Sequence, residues 1–300
     1  MKILFLGTPA FAVPSLEALS KEFEVTGVIT QPDRPAGRGM KVKPPTVKEQ
    51  ALAMGIEVYQ CRTREEVVEV ARSMKAECAV VVAFGMILPR EFIDLFPLGA
   101  LNLHASLLPK YRGPDPVRRA LLSGEKKTGL TVMLINDRMD AGDILSKKEV
   151  EIEEKDNALT LTEKLALEGS RLLVKTLKSW SKGELKPCPQ DEASATYAPP
   201  LTKEEKRLCW RAEADAVVSR VRACYPEAFF LFREKTIKVL EAQAVKGSGE
   251  PGEVIDEKEL VVACGHGAVR VLEVITPKGR KTTGEGFVRG YGPKKGELLK

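Results

Sequence analysis

Three hundred residues, 43% of them hydrophobic, with 47 basic and 42 acidic side chains, describe a globular chain of about two domains and exclude a disordered or fibrous one. The longest apolar run, Cys78 to Leu88, is broken by Gly85 and is about half of what a membrane helix needs; MKILFLG also lacks the long apolar region of a signal peptide, so a cytoplasmic protein without a membrane partner is expected. Six cysteines (61, 78, 188, 209, 224 and 264) contain no C-x-x-C pair and only two histidines accompany them, which argues for reduced thiols and no metal site.

In chain order, KILFLG (2–7) reads as a strand, PSLEALSKE (14–22) as a helix and EVTGVIT (24–30) as a second strand. TVKEQALAMG (46–55) is helical and ends on Gly55, a C-cap glycine, before a short extended IEVYQ. REEVVEVARSMK (64–75) places Val67, Val68, Val70, Ala71 and Met74 on one side of a helix. CAVVVAF (78–84) is a buried strand, REFIDLF (90–96) a helix and GALNLH another strand. PVRRALLSGE starts a helix at Pro116 and stops near Gly124. TGLTVMLI and DILSKKEVEI follow as an antiparallel pair, and 161–183 is a long helix. Strand–helix alternation of this kind predicts an α/β fold: a Rossmann-like, doubly wound, mostly parallel sheet whose ligands bind outside the C-terminal strand ends. The turn GTPAFA lacks the glycine fingerprint of a dinucleotide site.

KPCPQDEASATYAPPL, with Pro187, Pro189, Pro199 and Pro200, reads as a semi-extended linker. The expected organisation is therefore a catalytic domain over 1–186, a linker over 187–204 and a second domain over 205–300. Beyond the linker come one or two helices, then short strands in FFLF, TIKVLEAQAV, GEVIDE, ELVVACG and GAVRVLEVI, a spacing that suggests a small β-barrel. His266, between Gly265 and Gly267, is a hairpin-turn residue.

Asn102 and His104 share a face where the strand GALNLH runs into a Pro/Gly-rich loop. An amide N–H and an imidazole N–H converging there can both donate to one oxygen, as a site for acyl transfer requires. A carboxylate beside His104 would orient the ring, and MDAGDIL (139–145) supplies Asp140. Asp137 and Asp143 compete for that role, and spacing does not choose among the three.

NLHASLLPKYRG followed by MDAGDIL resembles the folate-dependent formyltransferases, and GTPAFAVPSLEAL (7–19) with QPDRPAGRG (31–39) resembles the members of that family that act on methionyl-tRNA. The resemblance covers essentially the whole chain. It implies that a formyl group passes from 10-formyltetrahydrofolate to the α-amine of methionine on initiator tRNA, with Asn102, His104 and Asp140 as the catalytic set. It further implies that the folate lies against Phe84, Gly85, Met86, Ile87 and Leu88 and against Ser106, Leu107, Leu108 and Pro109. The C-terminal domain would be similar to an OB-fold. One departure stands out: the family's RG is usually followed by small residues, whereas Gly113 here precedes Pro114-Asp115-Pro116.

Between Gln31 and Thr46 the chain carries Arg34, Arg38, Lys41 and Lys43 against the single acid Asp33, in a glycine-containing stretch that reads as a mobile basic finger for the acceptor end of tRNA. Residues 276–300 hold seven basic and two acidic side chains; Lys278, Arg280, Lys281 and Arg289 are the candidates there for phosphate attraction. No helix carries a spare apolar stripe, so a monomer is expected.

Overall fold

The computed structural model describes residues 1–36 and 41–300, the side chains of Ala36 and Lys41 excepted. The chain divides into two compact units, one comprising residues 1–116, 127–151 and 162–198, the other 117–126, 152–161 and 199–300. No helix among the described residues is long and apolar enough to cross a membrane.

The first unit is built on seven strands: β1 (Lys2–Gly7), β2 (Glu24–Thr30), β5 (Val58–Gln60), β6 (Cys78–Val82), β7 (Ala100–His104), β8 (Lys127–Leu134) and β9 (Ile144–Glu151). Their order is β5-β2-β1-β6-β7-β8-β9. The first four neighbour pairs are parallel, whereas β7–β8 and β8–β9 are antiparallel. All five residues of β6 are buried, as a central parallel strand covered on both faces must be. Leu4, Leu6, Ala79 and Val81 alternate onto one face and pack with Val67, Val68 and Ala71 of α3 (Arg64–Ser73) and Phe92 and Ile93 of α4 (Arg90–Ile93). Each of the larger side chains among them contributes roughly 1.5–3 kcal/mol, and the alanines less. Thr63 caps α3 by accepting from the Glu66 amide, and Glu65 and Glu66 occupy the positive end of the helix.

The helix expected over 90–96 stops at Ile93. Phe96 is buried from the turn that follows, and Pro97 disfavours helical backbone at the residue before it. On the sheet's other face, α6 (Ala158–Ser181) approaches through Gly169, where an added Cβ would lie 2.8 Å from Leu103 and 3.2 Å from Leu130. Leu103 therefore points at α6. Its neighbours Asn102 and His104 point the other way.

Between β2 and β5 lie a two-stranded ribbon, β3 (Arg34–Ala36) with β4 (Lys41–Lys43), and the helix α2 (Thr46–Ala53), which ends before Gly55 at φ +72°. The described part of the basic segment is therefore an antiparallel stem.

The second unit contains α7 (Ala214–Ala223) and an antiparallel sheet of β10 (Phe229–Phe232), β11 (Lys235–Val245), β12 (Val254–Asp256), β13 (Val261–Ala263), β14 (Ala268–Ile275) and β15 (Lys281–Thr283). β11 is long and irregular in register around Glu241, which bends it. His266 sits in the β13–β14 turn, closed by the Cys264 amide donating to the Gly267 carbonyl. α8 (Gly284–Tyr291) is capped by Thr283 and inserts Phe287 among Phe230, Phe232 and Tyr291.

Glu205 in this unit is clamped by Arg119 of α5 (Pro116–Leu122), with Nη1 to Oε1 at 2.5 Å and Nη2 to Oε2 at 3.2 Å. The Arg119 guanidinium holds the Glu205 carboxyl at about 2, below its ordinary 4.5. A depressed folded value stabilises the folded state above the unfolded value and is lost as pH falls through the folded one. The difference in melting temperature between wild type and Glu205→Gln should thus be full above pH 4.5 and shrink toward zero as pH approaches about 2. A difference independent of pH in that window would remove the ion pair from the account.

Candidate active site

β7 delivers Asn102 and His104 to one face of the first unit's sheet, opposite Met133 and Thr131 of β8. His104 is 6% exposed, whereas Asn102 is half-buried. His104 Nε2 lies 2.9 Å from the Tyr111 carbonyl, which can only accept, so Nε2 carries a proton. The other ring nitrogen, Nδ1, faces Asp140 Oδ2 at 3.6 Å. Of the three candidate acids, Asp140 is the one beside the imidazole; Asp137 and Asp143 make no ion pair with it. Among the described residues the Asn102 carboxamide has no protein hydrogen-bond partner, so its donors are available to a ligand.

Asp140 does not emerge at the C-terminal ends of the parallel strands. β8 runs antiparallel to β7, so its last residue, Leu134, pairs with Leu101 while Thr131 pairs with His104. The connection over 135–143 therefore starts from the far end of β7 and folds back to bring the carboxylate to the imidazole. Asp140 adopts φ +50°, a left-handed conformation that Asp tolerates better than most residues. Its Oδ2 accepts the Gly113 amide at 2.8 Å, and its Oδ1 has no hydrogen bond to protein among the described residues. Gly113 itself sits at φ +114°, and an added Cβ would lie 3.1 Å from the Ala198 carbonyl.

Loop 105–113 is pinned from beneath. Thr131, fully buried, donates from Oγ1 to the Ser106 carbonyl at 2.7 Å and accepts the Leu108 amide at 3.1 Å. The Ser106 hydroxyl donates to the Lys110 carbonyl at 2.6 Å. Ser106 and Leu108 have no exposed surface, and Leu108 packs with Met133 and Ile144. Their side chains build the loop; of that quartet, Leu107 and Pro109 reach the surface. In the other candidate folate wall, Phe84 and Leu88 are core residues, Met86 is half-buried and Ile87 is 54% exposed. Gly85 has φ +83° and open space where a Cβ would be. An exposed isoleucine beside an open glycine suits a flat apolar ring.

Two residues that the sequence reading passed over complete this centre. Arg112 is 2% exposed and bonds Glu192 through both Nη atoms, at 3.1 and 3.0 Å. Gln190 accepts from Arg112 and donates to the carbonyls of Asp140 and Gly142. Both partners of Arg112 come from the stretch read as linker. Residues 188–198 of that stretch strap the site loops: Cys188 and Ile144 exchange backbone bonds, Thr196 accepts from the amides of Tyr111 and Arg112, and Ala198 donates to the Arg112 carbonyl and accepts from the Asp115 amide. Arg112 had a visible signal, lying in the KYRG run; Gln190 had none.

At the base of the basic segment, Lys48 Nζ bonds both Asp33 oxygens, at 2.9 and 3.0 Å, and holds that carboxyl below its ordinary range. The segment's one acid is thereby spent. Arg34 and Lys43 face each other directly across β3–β4, an arrangement of like charges that costs stability unless an anion lies over it. Arg38 lies outside the described residues, as does the side chain of Lys41. Lys278, Arg280 and Arg289 are exposed in the second unit; Lys281 is engaged by Glu273 at 2.9 Å.

Residues 1–177 match the formyl transferase family, and residues 200–292 match the formyl transferase C-terminal domain. The methionyl-tRNA formyltransferase of Hydrogenobaculum sp. is 43% identical over 294 residues, covering 97% of each chain. That of Bacillus subtilis is 41% identical over 309 residues, covering 99% of this chain and 97% of the relative. Among solved structures, an N-formyltransferase from Helicobacter canadensis, in complex with folinic acid and dTDP-3-aminofucose, aligns at TM-score 0.70 and 19% identity, covering 90% of this chain and 98% of that one. HypX from Aquifex aeolicus, in complex with tetrahydrofolic acid, aligns at TM-score 0.64 and 20% identity, covering 100% of this chain and 50% of that one. At such identities these two likenesses bear on the fold alone.

Proposed function

The chain belongs to the formyl transferase family, and from that premise we infer that it transfers the formyl group of 10-formyltetrahydrofolate to the free amine of the methionyl moiety of initiator methionyl-tRNA, yielding N-formylmethionyl-tRNA for translation initiation in the cytoplasm. The observation that carries the chemistry is the Asp140 carboxylate 3.6 Å from His104 Nδ1, two residues along the strand from the unpartnered carboxamide of Asn102.

As the amine's lone pair bonds to the formyl carbon, the carbonyl electrons move onto oxygen. Asn102 donates an N–H to that oxygen and stabilises it where water is scarce. Asp140 Oδ1, free of protein partners, takes the proton that the amine nitrogen sheds, directly or through one water. The imidazole, fixed by the Tyr111 carbonyl at Nε2, lies with Nδ1 3.6 Å from the other oxygen of that carboxylate and keeps it in place. The proton then returns to the folate nitrogen as its bond to the formyl carbon breaks. Arg34, Arg38, Lys41 and Lys43 attract the acceptor-end phosphates, with Lys278, Arg280 and Arg289 adding sequence-independent attraction and Lys281 contributing less. The protein acts as a monomer and without a metal.

Incubation with 10-formyltetrahydrofolate and either methionyl-tRNA, an amino sugar nucleotide or glycinamide ribotide tests this reading. Formylmethionine should be recovered after deacylation of the tRNA. Transfer to either small amine, with none to tRNA, would overturn the assignment. For the basic segment, Arg38→Ala should lower kcat/KM for methionyl-tRNA about tenfold or more while folate affinity stays within about twofold. Unchanged activity on tRNA would exclude Arg38 from substrate contact.

A further inference from the structure

We propose that Gln190 is a positioning residue for the formyl transfer, holding the Asp140 carboxylate against His104 by clamping the backbone that follows it, at the carbonyls of Asp140 and Gly142. The inference rests on the reading of the site given above and goes one step beyond it.

A glutamine amide has two N–H donors and one oxygen with two lone pairs. Gln190 uses all four. Its Nε2 donates to the Asp140 carbonyl at 2.9 Å and to the Gly142 carbonyl at 2.8 Å. Its Oε1 accepts from Arg112 Nε at 3.1 Å and Nη2 at 2.8 Å. The reversed amide would set N–H groups against a guanidinium and an oxygen against two carbonyls, so the orientation is unique. Arg112 is in turn immobilised by burial and by Glu192, and its own amide and carbonyl are tied to Thr196 and Ala198.

The clamp sits where the backbone needs one. Asp140 occupies φ +50°, a conformation that persists only if its surroundings enforce it. Gly142 passes so close to the Leu134 carbonyl that an added Cβ would lie 1.7 Å from it. At the first of these points the loop delivers a carboxylate to an imidazole and to the Gly113 amide. Without the clamp, the Asp140 and Gly142 carbonyls lose their partner and the turn relaxes toward ordinary backbone, withdrawing the carboxylate. A displacement of about 1 Å at a reacting group can cost about 10²-fold in rate.

Gln190→Glu is the discriminating variant. It keeps the side chain's size and its bonds to Arg112, yet sets a carboxylate oxygen against two carbonyls. Its kcat should fall about 10–10²-fold, with KM for both substrates within about twofold and the melting temperature near that of wild type. In an Asp140→Asn background the same substitution should cost less than about twofold, because the group it positions is already disabled. Retention of wild-type kcat, or losses that multiply in the double variant, would overturn the proposal.

A readout independent of turnover is the NMR signal of the Gly113 amide and of the His104 ring nitrogens, with His266, the one other histidine, as internal control. Gln190→Glu should shift both site signals and leave His266 unmoved. Unchanged site signals would refute the clamp even if wild type proved inactive on methionyl-tRNA, an outcome that would instead sink the functional reading.

Discussion

Asn102→Ala and Asp140→Asn should each lower kcat for formylation of methionyl-tRNA by about 10²–10³-fold while leaving a folded protein. The Asn102 carboxamide makes no hydrogen bond to protein among the described residues, so its removal orphans nothing in the resting enzyme. Its whole effect belongs in the transition state, where charge collects on the formyl oxygen, and kcat should fall with KM little changed. Asparagine is the right replacement for Asp140 because it tolerates the left-handed φ of +50° and can still accept the Gly113 amide. It cannot take a proton from an amine. Alanine at 140 would add backbone strain and confuse the two effects. Single-turnover rates with saturating substrates check both variants, and a rate within about threefold of wild type for either would remove that residue from the chemistry.

The second large effect is expected at Gly142, a residue without a side chain. A methyl group there would lie 1.7 Å from the Leu134 carbonyl and 2.8 Å from its carbon, backbone atoms that cannot swing aside as a side chain could. Gly142→Ala should therefore force the 135–143 connection open, destabilising the protein by about 1–3 kcal/mol or more. The same movement carries Asp140 off His104, so kcat should drop about 10²-fold in the fraction that remains folded. Thermal unfolding together with activity per folded molecule separates the two terms. A variant as stable and as fast as wild type would mean that the turn has another accessible path. Gly85→Ala offers a contrast in stability, since nothing lies within 4 Å of its Cβ position and the folded protein bears only the strain of φ +83°.

The sheet was legible because CAVVV is wholly apolar and ends up buried along its whole length, while ALNLH alternates apolar and polar residues. The same alternation put Asn102 and His104 on one face before any coordinates. The choice among Asp137, Asp140 and Asp143 was not legible. It depends on β8 running antiparallel and on a connection that doubles back across the sheet, which no local spacing encodes. Gln190 and Glu192 were hidden for a related reason. Prolines and small polar residues make a strap over a site look like a linker, and the partners that distinguish them lie 50 to 80 residues away. α8 was missed because Gly284, Gly286 and Gly290 depress its helix propensity; Thr283 as cap and buried Phe287 compensate. Ser106 and Leu108 show the reverse case, since a motif associated with folate turns out to devote half of its side chains to holding its own loop.

In the reacting complex the formyl oxygen is expected against Asn102, with the Asp140–His104 pair beside the attacking amine. A crystal structure of the protein with a non-transferring 10-formyl folate analogue tests it most directly. The account predicts the formyl oxygen about 3 Å from Asn102 Nδ2, with the ring against Met86 and Ile87. A formyl group out of reach of Asn102, with the ring bound elsewhere on the chain, would contradict it.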